Sequence, residues 1–321
     1  MSEIKIPVGQ KDLKKLFFDL KNTNRFLNTY IFEGDKGIGK RTMARYFSMF
    51  AMCDKNPPCL NCSACFTINA STNPDIVIVS NEDKAEISVM KIRDMVREVF
   101  IKPSVSPKKI FIIENAHLMN DAAQNALLKV IEEPPEYAMF LLLCDNKNKI
   151  LPTILSRCTV ISVPPLKKEN LFEIFNIENE IFASYSMGNP GRYKNLCEDE
   201  SFLSLREEFY NNVLCLVKND RYSIYEICDF FEKNKDYKDV LFEMLMTFFS
   251  DVLLLKSSLN NKIINLDKID VVTSFSGKST KKSIVNSIDL SSKIYKEIGK
   301  YGAFALSVNA MFIKIWEEIN G

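Results

Sequence analysis

Ala126-Leu127-Leu128-Lys129-Val130-Ile131-Glu132-Glu133-Pro134-Pro135 is followed at short range by Leu151-Pro152-Thr153-Ile154-Leu155-Ser156-Arg157-Cys158. The first stretch ends a helix predicted over residues 121–132. The second reads as a short helix, with Pro152 suited to its first turn and Ser156-Arg157-Cys158 at its end, just before a strand over 159–163. Upstream of both stands a glycine-rich loop, Gly34-Asp35-Lys36-Gly37-Ile38-Gly39-Lys40-Arg41. Singly these features are weak; their order and spacing carry the reading.

Working outward, Leu13, Leu16, Phe17 and Leu20 predict a helix over residues 11–28, and Tyr30-Ile31-Phe32 is a short strand feeding the glycine-rich loop. Met43, Tyr46, Phe47 and Phe50 recur at helical intervals between Thr42 and Met52. Ile76-Val77-Ile78-Val79 reads as a buried strand and Ile87 to Phe100 as an amphipathic helix. Ile110-Phe111-Ile112-Ile113 and Phe140-Leu141-Leu142-Leu143 are further strands. Strands alternating with helices of this length imply an α/β fold, a parallel sheet with helices on both faces. After Val160-Ile161-Ser162-Val163 the pattern changes at Pro164-Pro165, and from Lys168 no strand returns. Short helices surround a Gly188-Asn189-Pro190-Gly191-Arg192 turn. Long helices follow from about Phe202 to Ile319, among them 240–256 and 301–319. The predicted division is an α/β domain over 1–165, a small helical domain over 166–201 and an all-helical domain over 202–321.

A glycine-rich turn between strand and helix aims backbone N–H groups at an anion, and a lysine adds a compact charge for phosphates. Gly34, Gly37, Gly39 and Lys40 meet that need. The next position should supply a hydroxyl to Mg²⁺, yet it is Arg41; Thr42 lies one residue on, about 100° around a helix. A tight turn that needs glycine for geometry alone remains the alternative. The other half of a working site would be an acidic pair ending the strand 110–113, one carboxylate for the metal and one as base. Glu114-Asn115 stands there, and a carboxamide cannot take a proton. Nucleotide binding stays possible; hydrolysis by this chain alone is not expected. His117, the only histidine, has no partner with which to build a triad and is read as structural.

Cys53, Cys59, Cys62 and Cys65 follow C-x₅-C-x₂-C-x₂-C spacing, with turns supplied by Pro57-Pro58 and Asn61. Four thiolates so spaced can close a tetrahedral shell around Zn²⁺ and leave no open ligand position, so the expected site is structural, an insertion at about residues 53–65. Cys144, Cys158, Cys197, Cys215 and Cys228 are read as core residues.

Composition narrows the class. With 42 basic and 41 acidic residues among 321, no global pull toward nucleic acid is visible. No apolar stretch reaches the roughly 18 residues a bilayer span needs, so no membrane partner is expected. Met1–Lys5 shows no signal-peptide core. Nine cysteines without such a signal point to reduced thiols or metal ligands, hence a cytoplasmic protein.

From Lys109 to Cys158 the chain resembles the AAA+ subunits of the bacterial DNA polymerase III clamp loader. The likeness is carried by the strand ending in Glu114, by Asn125-Ala126-Leu127-Leu128-Lys129, by Glu132-Glu133-Pro134-Pro135 and by Leu151-Pro152-Thr153-Ile154 leading into Ser156-Arg157-Cys158. Asn73-Pro74-Asp75 and Gly9-Gln10 are similar to further family features. The resemblance implies an AAA+ P-loop domain, a helical lid (166–201) and a helical collar (202–321) that holds a pentamer together. It also implies that Arg192 is the second-sensor arginine and that Arg157 reaches in trans to the nucleotide of a neighbouring subunit; without that resemblance, a rim arginine paired with a surface carboxylate is the default reading of Arg157. Motor (tau/gamma) subunits keep Thr after the loop lysine and an Asp-Glu pair in the second motif. Arg41 and Glu114-Asn115 depart from both, and Cys144-Asp145 replaces the usual first-sensor threonines, so the resemblance favours the delta-prime branch.

The expectation is therefore a non-hydrolysing subunit supporting ATP-dependent loading of the sliding clamp onto primed DNA. Its partners would be the tau/gamma motor subunits and delta, and through the complex the clamp and DNA. Structural Zn²⁺ is its expected cofactor, with ATP or ADP possible but not required. Two alternatives stay open. One is an active motor-type ATPase tolerating Arg41 and Glu114; the other is a zinc-dependent nucleic-acid binder, against which the neutral charge counts.

Overall fold

A computed structural model of the chain describes residues 6–81, 85–301 and 304–321. The reading of Met1–Lys5 falls outside the described residues. The chain separates into two compact units. The first comprises residues up to Asn179 together with Ser186–Lys194, and the second comprises Glu180–Tyr185 with Asn195–Gly321.

The first unit runs α1 (Lys11–Thr23), β1 (Thr29–Glu33), α2 (Lys40–Met52), α3 (Ser63–Asn69), β2 (Ile76–Val79), α4 (Val89–Val99), β3 (Lys109–Ile113), α5 (Asp121–Glu132), β4 (Ala138–Cys144), α6 (Pro152–Leu155), β5 (Thr159–Ser162) and α7 (Lys168–Phe175). Among the described residues the strands form one five-stranded sheet in the order β2-β3-β4-β1-β5, every pair parallel. Parallel strands need crossovers, and the helices that make them cover both faces. One apolar layer gathers Phe17, Phe32, Phe47 and Phe50 from α1, β1 and α2; the other gathers Ile92, Met95, Leu127 and Phe140 from α4, α5 and β4. Phe47 is the hub of the first layer, with Phe17, Phe26, Tyr30 and Phe32 packed edge-on around it at 4.7–5.7 Å. The central strands β3 and β4 are buried throughout. The run Ile76–Val79, expected to be buried, is instead an edge strand with Ile78 exposed, because only β3 pairs with it.

Asp75, just before β2, is 1% exposed and accepts from the backbone N–H groups of Ser104, Val105 and Ser106 at 2.6, 2.9 and 2.7 Å. Burial alone would raise its pKa, but these three amides outweigh burial and hold the carboxyl below its usual range.

In the second unit α10 (Phe202–Val213), α11 (Ile224–Lys233), α12 (Lys238–Lys256), α13 (Ile269–Lys278), α14 (Lys281–Tyr301) and α15 (Phe304–Asn320) are all helical; α8 (Glu180–Ser186) and α9 (Pro190–Glu198) precede them. The helix expected over 301–319 is thus α15, beginning at Phe304. In the core of this unit Arg206 is 1% exposed. Its guanidinium makes a bidentate pair with Asp267 at 2.8 and 2.7 Å and donates to Asn265 Oδ1 at 2.9 Å. The rings of Tyr210 and Tyr185 lie 5.0 and 5.9 Å from it. Asn265 also accepts from Tyr185 Oη at 3.0 Å and donates to Asp251 at 2.7 Å. A charge so deeply placed is tolerable only with this degree of pairing. Among the described residues, no helix is long and apolar enough to cross a membrane.

Candidate functional site

The glycine-rich loop joins β1 to α2 as expected. Gly37 (φ +87°) and Gly39 (φ +102°) adopt left-handed conformations that side chains resist. Gly39 caps α2 without a side chain, so the orphan N–H groups of the first helical turn face the loop's concavity.

Lys40 is 8% exposed, and its ammonium donates to Gly34 O at 2.6 Å, Asp35 O at 2.9 Å and Asp145 Oδ1 at 2.6 Å. Asp145 follows the last residue of β4. Its own N–H donates to His117 Nδ1 at 3.2 Å, and its other carboxylate oxygen lies 3.6 Å from His117 Nε2. Burial pushes the His117 pKa down, only partly offset by Asp145, so the imidazole is neutral and the donated bond fixes its tautomer. The only histidine is therefore structural, buttressing the turn after β4.

Arg41 projects from the first turn of α2 onto Glu114 at the end of β3, and the two side chains form an ion pair. Glu114 is 6% exposed. Two residues far apart in sequence thus form one interaction, the Arg41 guanidinium matching the charge of the buried Glu114 carboxylate. Thr42 is exposed. Asn115 takes a left-handed conformation (φ +53°) and donates to Asn81 Oδ1 at 3.1 Å.

The Gly188–Arg192 turn meets the loop directly. Gly191 N donates to Gly37 O at 3.0 Å and Asn189 Nδ2 to Lys36 O at 2.9 Å, while Asn189 Oδ1 accepts from Arg192 N at 3.1 Å. Arg192 is thereby placed on the first turn of α9 and is half-buried. The structure brings Gly34, Gly37, Gly39, Lys40, Arg41, Glu114 and the Arg192 turn together. Sequence reasoning noted Asp145 only as off pattern and missed that it would engage Lys40; its position immediately after β4 was the available signal.

Arg157 lies beyond α6, 40% exposed, on the rim of the sheet. Nη1 donates to Thr153 O at 2.9 Å and Ser156 Oγ at 3.2 Å, and Nη2 pairs with Glu132 Oε1 at 3.0 Å. Glu132, the last residue of α5, therefore anchors the arginine, a rim arginine paired with a surface carboxylate.

The sulfurs of Cys53, Cys59, Cys62 and Cys65 all lie within 4.8 Å of one another. Two of the separations, Cys53–Cys59 at 3.6 Å and Cys53–Cys62 at 3.9 Å, bracket the edge of about 3.8 Å that a tetrahedron with 2.3 Å metal–sulfur bonds requires. Cys53 caps the C-terminus of α2, and Cys62 caps the N-terminus of α3, its sulfur accepting from Cys65 N at 3.5 Å. Cys59 N in turn donates to Cys53 Sγ at 3.4 Å. The Asn61 amide lowers the Cys59 thiol to about 6, whereas burial raises Cys62 and Cys65. Of the other five cysteines, Cys144, Cys215 and Cys228 are buried; Cys158 and Cys197 are half-buried.

Family models described as "DNA polymerase III, delta subunit" and "DNA polymerase III, delta subunit, C terminal" match residues 9–167 and 200–298. The chain belongs to the DNA polymerase III clamp-loader subunits. The delta′ subunit of Bacillus subtilis is 27% identical over 295 residues, covering 87% of this chain and 88% of that one. The gamma/tau subunit of Mycoplasma genitalium is 33% identical over 172 residues, but the match covers 53% of this chain and only 28% of that longer protein. Among solved structures, a gamma-subunit-related protein of Thermotoga maritima aligns over 95% of this chain and 99% of its own at 18% identity, TM-score 0.47. The observed fold is a five-stranded parallel α/β domain, with a glycine-rich loop between its first strand and α2, followed by helical parts.

Proposed function

We propose that the chain is a delta-prime-type stator of a DNA polymerase III clamp loader, which does not hydrolyse ATP itself and supports ATP-dependent loading of the sliding clamp onto primed DNA. The observation that carries this reading is the Arg41–Glu114 ion pair, which engages the carboxylate that would be expected to share Mg²⁺, with Asn115 where a base would be expected. Arg157, exposed on the rim and held at three points, would act in trans on nucleotide bound by a neighbouring motor subunit. In this reading residues 166–201 serve as lid and 202–321 as collar, and the partners are the tau/gamma subunits and delta in the cytoplasm. The four cysteines fit Zn²⁺, which would brace the loop between α2 and α3.

The similarity to gamma/tau chains over half of the sequence favours a second reading, an active motor. Steady-state ATP turnover by the purified chain separates the two. The stator reading expects none above background; turnover at a motor subunit's rate, lost in Lys40→Ala, would overturn it.

A further inference from the structure

We propose that Asp145 is a built-in anion that takes the place of a nucleotide phosphate on Lys40, so that the loop is sealed by the protein's own carboxylate. An ammonium has three N–H donors and no more. Those of Lys40 are spent on Gly34 O, Asp35 O and Asp145 Oδ1, at 2.6, 2.9 and 2.6 Å. A phosphate arriving at this nitrogen must displace one of the three, and it competes for the charge with a carboxylate already held by a charge-assisted bond.

Three further features make the seal more than a passing contact. The Asp145 carboxylate sits at the end of a buried strand, with its backbone N–H fixed on His117 Nδ1, so the turn that presents it is preset. Lys40 itself is 9% exposed in its side chain, and water offers little competing solvation. Beside this pair lies a second, Arg41 with Glu114, so two cations that could meet phosphate oxygens are each matched by a protein carboxylate. The carbonyls of Lys36 and Gly37 are held in addition by Asn189 and Gly191. The loop keeps the shape of a phosphate cradle while its charge is balanced internally.

The inference deepens the stator reading and rests on it, since it concerns why the same loop needs no nucleotide. The failures are distinguishable: ATP turnover by the wild type sinks both, whereas ATP binding without turnover sinks this one alone.

The test is calorimetric titration of the full chain with ATP, without added magnesium and without chelator, so that the cysteine cluster is not stripped. The wild type should show no saturable binding up to about 1 mM. Asp145→Asn keeps size and an acceptor oxygen but loses the charge; Asp145→Thr removes the carboxylate altogether. Both should bind ATP at least about tenfold more tightly than the wild type, the scale of one charge-assisted hydrogen bond. The gain should vanish when Lys40→Ala is added. Wild-type affinity equal to that of the variants, or folded variants with no gain, overturns the proposal. Circular dichroism and metal content report whether the variants fold. Should both unfold, the ¹⁵N resonance of the wild-type Lys40 ammonium decides: unmoved by ATP it supports the seal, and shifted by ATP it overturns it.

Discussion

Gly37 and Gly191 touch backbone to backbone: the Gly191 amide donates to the Gly37 carbonyl at 3.0 Å, and a Cβ on Gly191 would lie 2.8 Å from Gly37 Cα. Neither residue can grow without parting the turn from the loop. Gly191→Ala should destabilise the chain by about 1–3 kcal/mol, the usual cost of overpacking against backbone that cannot yield. Gly277→Ala, on an exposed turn of α13 with nothing within 4 Å of the new methyl, should be neutral or stabilising by up to about 1 kcal/mol. Denaturant titration of both variants checks the contrast; equal effects would mean the contact is slack.

Metal analysis of purified chain should give close to one zinc. Cys59→Ser or Cys62→Ser should lower that content and loosen the segment from Cys53 to Asn69, since binding and local order are coupled. Hydrogen exchange on chelator treatment should speed up there and leave β3 and β4 unchanged. Metal-free protein with full protection of α3 would remove the zinc assignment.

Arg157→Ala should leave fold and zinc content intact, because the side chain is 40% exposed and its pair with Glu132 is a surface one. In a reconstituted loader it should slow DNA-stimulated ATP hydrolysis. The loss should fall short of the full factor, on the order of 10³–10⁵, of an arginine acting on phosphoryl transfer, because other sites of the ring keep theirs. Arg157→Lys should rescue only in part, as a point charge lacks the planar fork. Wild-type loading rates with Arg157→Ala would end the trans-acting role.

Asp75→Asn should cost about 1–3 kcal/mol at neutral pH, since three backbone amides lose a charged, buried acceptor. The carboxyl's folded pKa lies below its unfolded value of about 3.9, so its stabilisation is complete above that pH and is lost as pH falls through the folded pKa. The gap between wild type and variant should therefore close below about pH 4. A gap that stays constant down to pH 2 would mean the charge contributes nothing.

Much of the first unit was legible because its signals are local. α5 spans Asp121–Glu132 as its periodicity predicts, and the strands fall on the short apolar runs. The missed α3 has a different origin: its first turn is set by the Cys62 sulfur accepting from Cys65 N, within a segment read for its metal spacing rather than its apolar rhythm. The edge position of Ile76–Val79 escaped because four β-branched residues look alike in a central or an outer strand. Arg41 and Glu114 were read as two separate losses. Their complementarity spans 73 residues of chain and exists only once α2 and β3 are brought side by side.

Arg206 also bears on where this polypeptide can be cut. A fragment begun at Phe202 would keep the Asp267 pair but lose Tyr185, one of the two rings on the guanidinium and a donor to Asn265. Phe202 would lose both of its edge-on neighbours, Phe182 and Tyr185, at 5.9 and 5.2 Å. A fragment begun at Glu180 retains all of them. A protease that nicks the chain after Lys194 would leave a C-terminal piece whose buried Arg206 lacks the Tyr185 ring and whose Phe202 lacks both edge-on neighbours, and that piece should be digested further rather than accumulate.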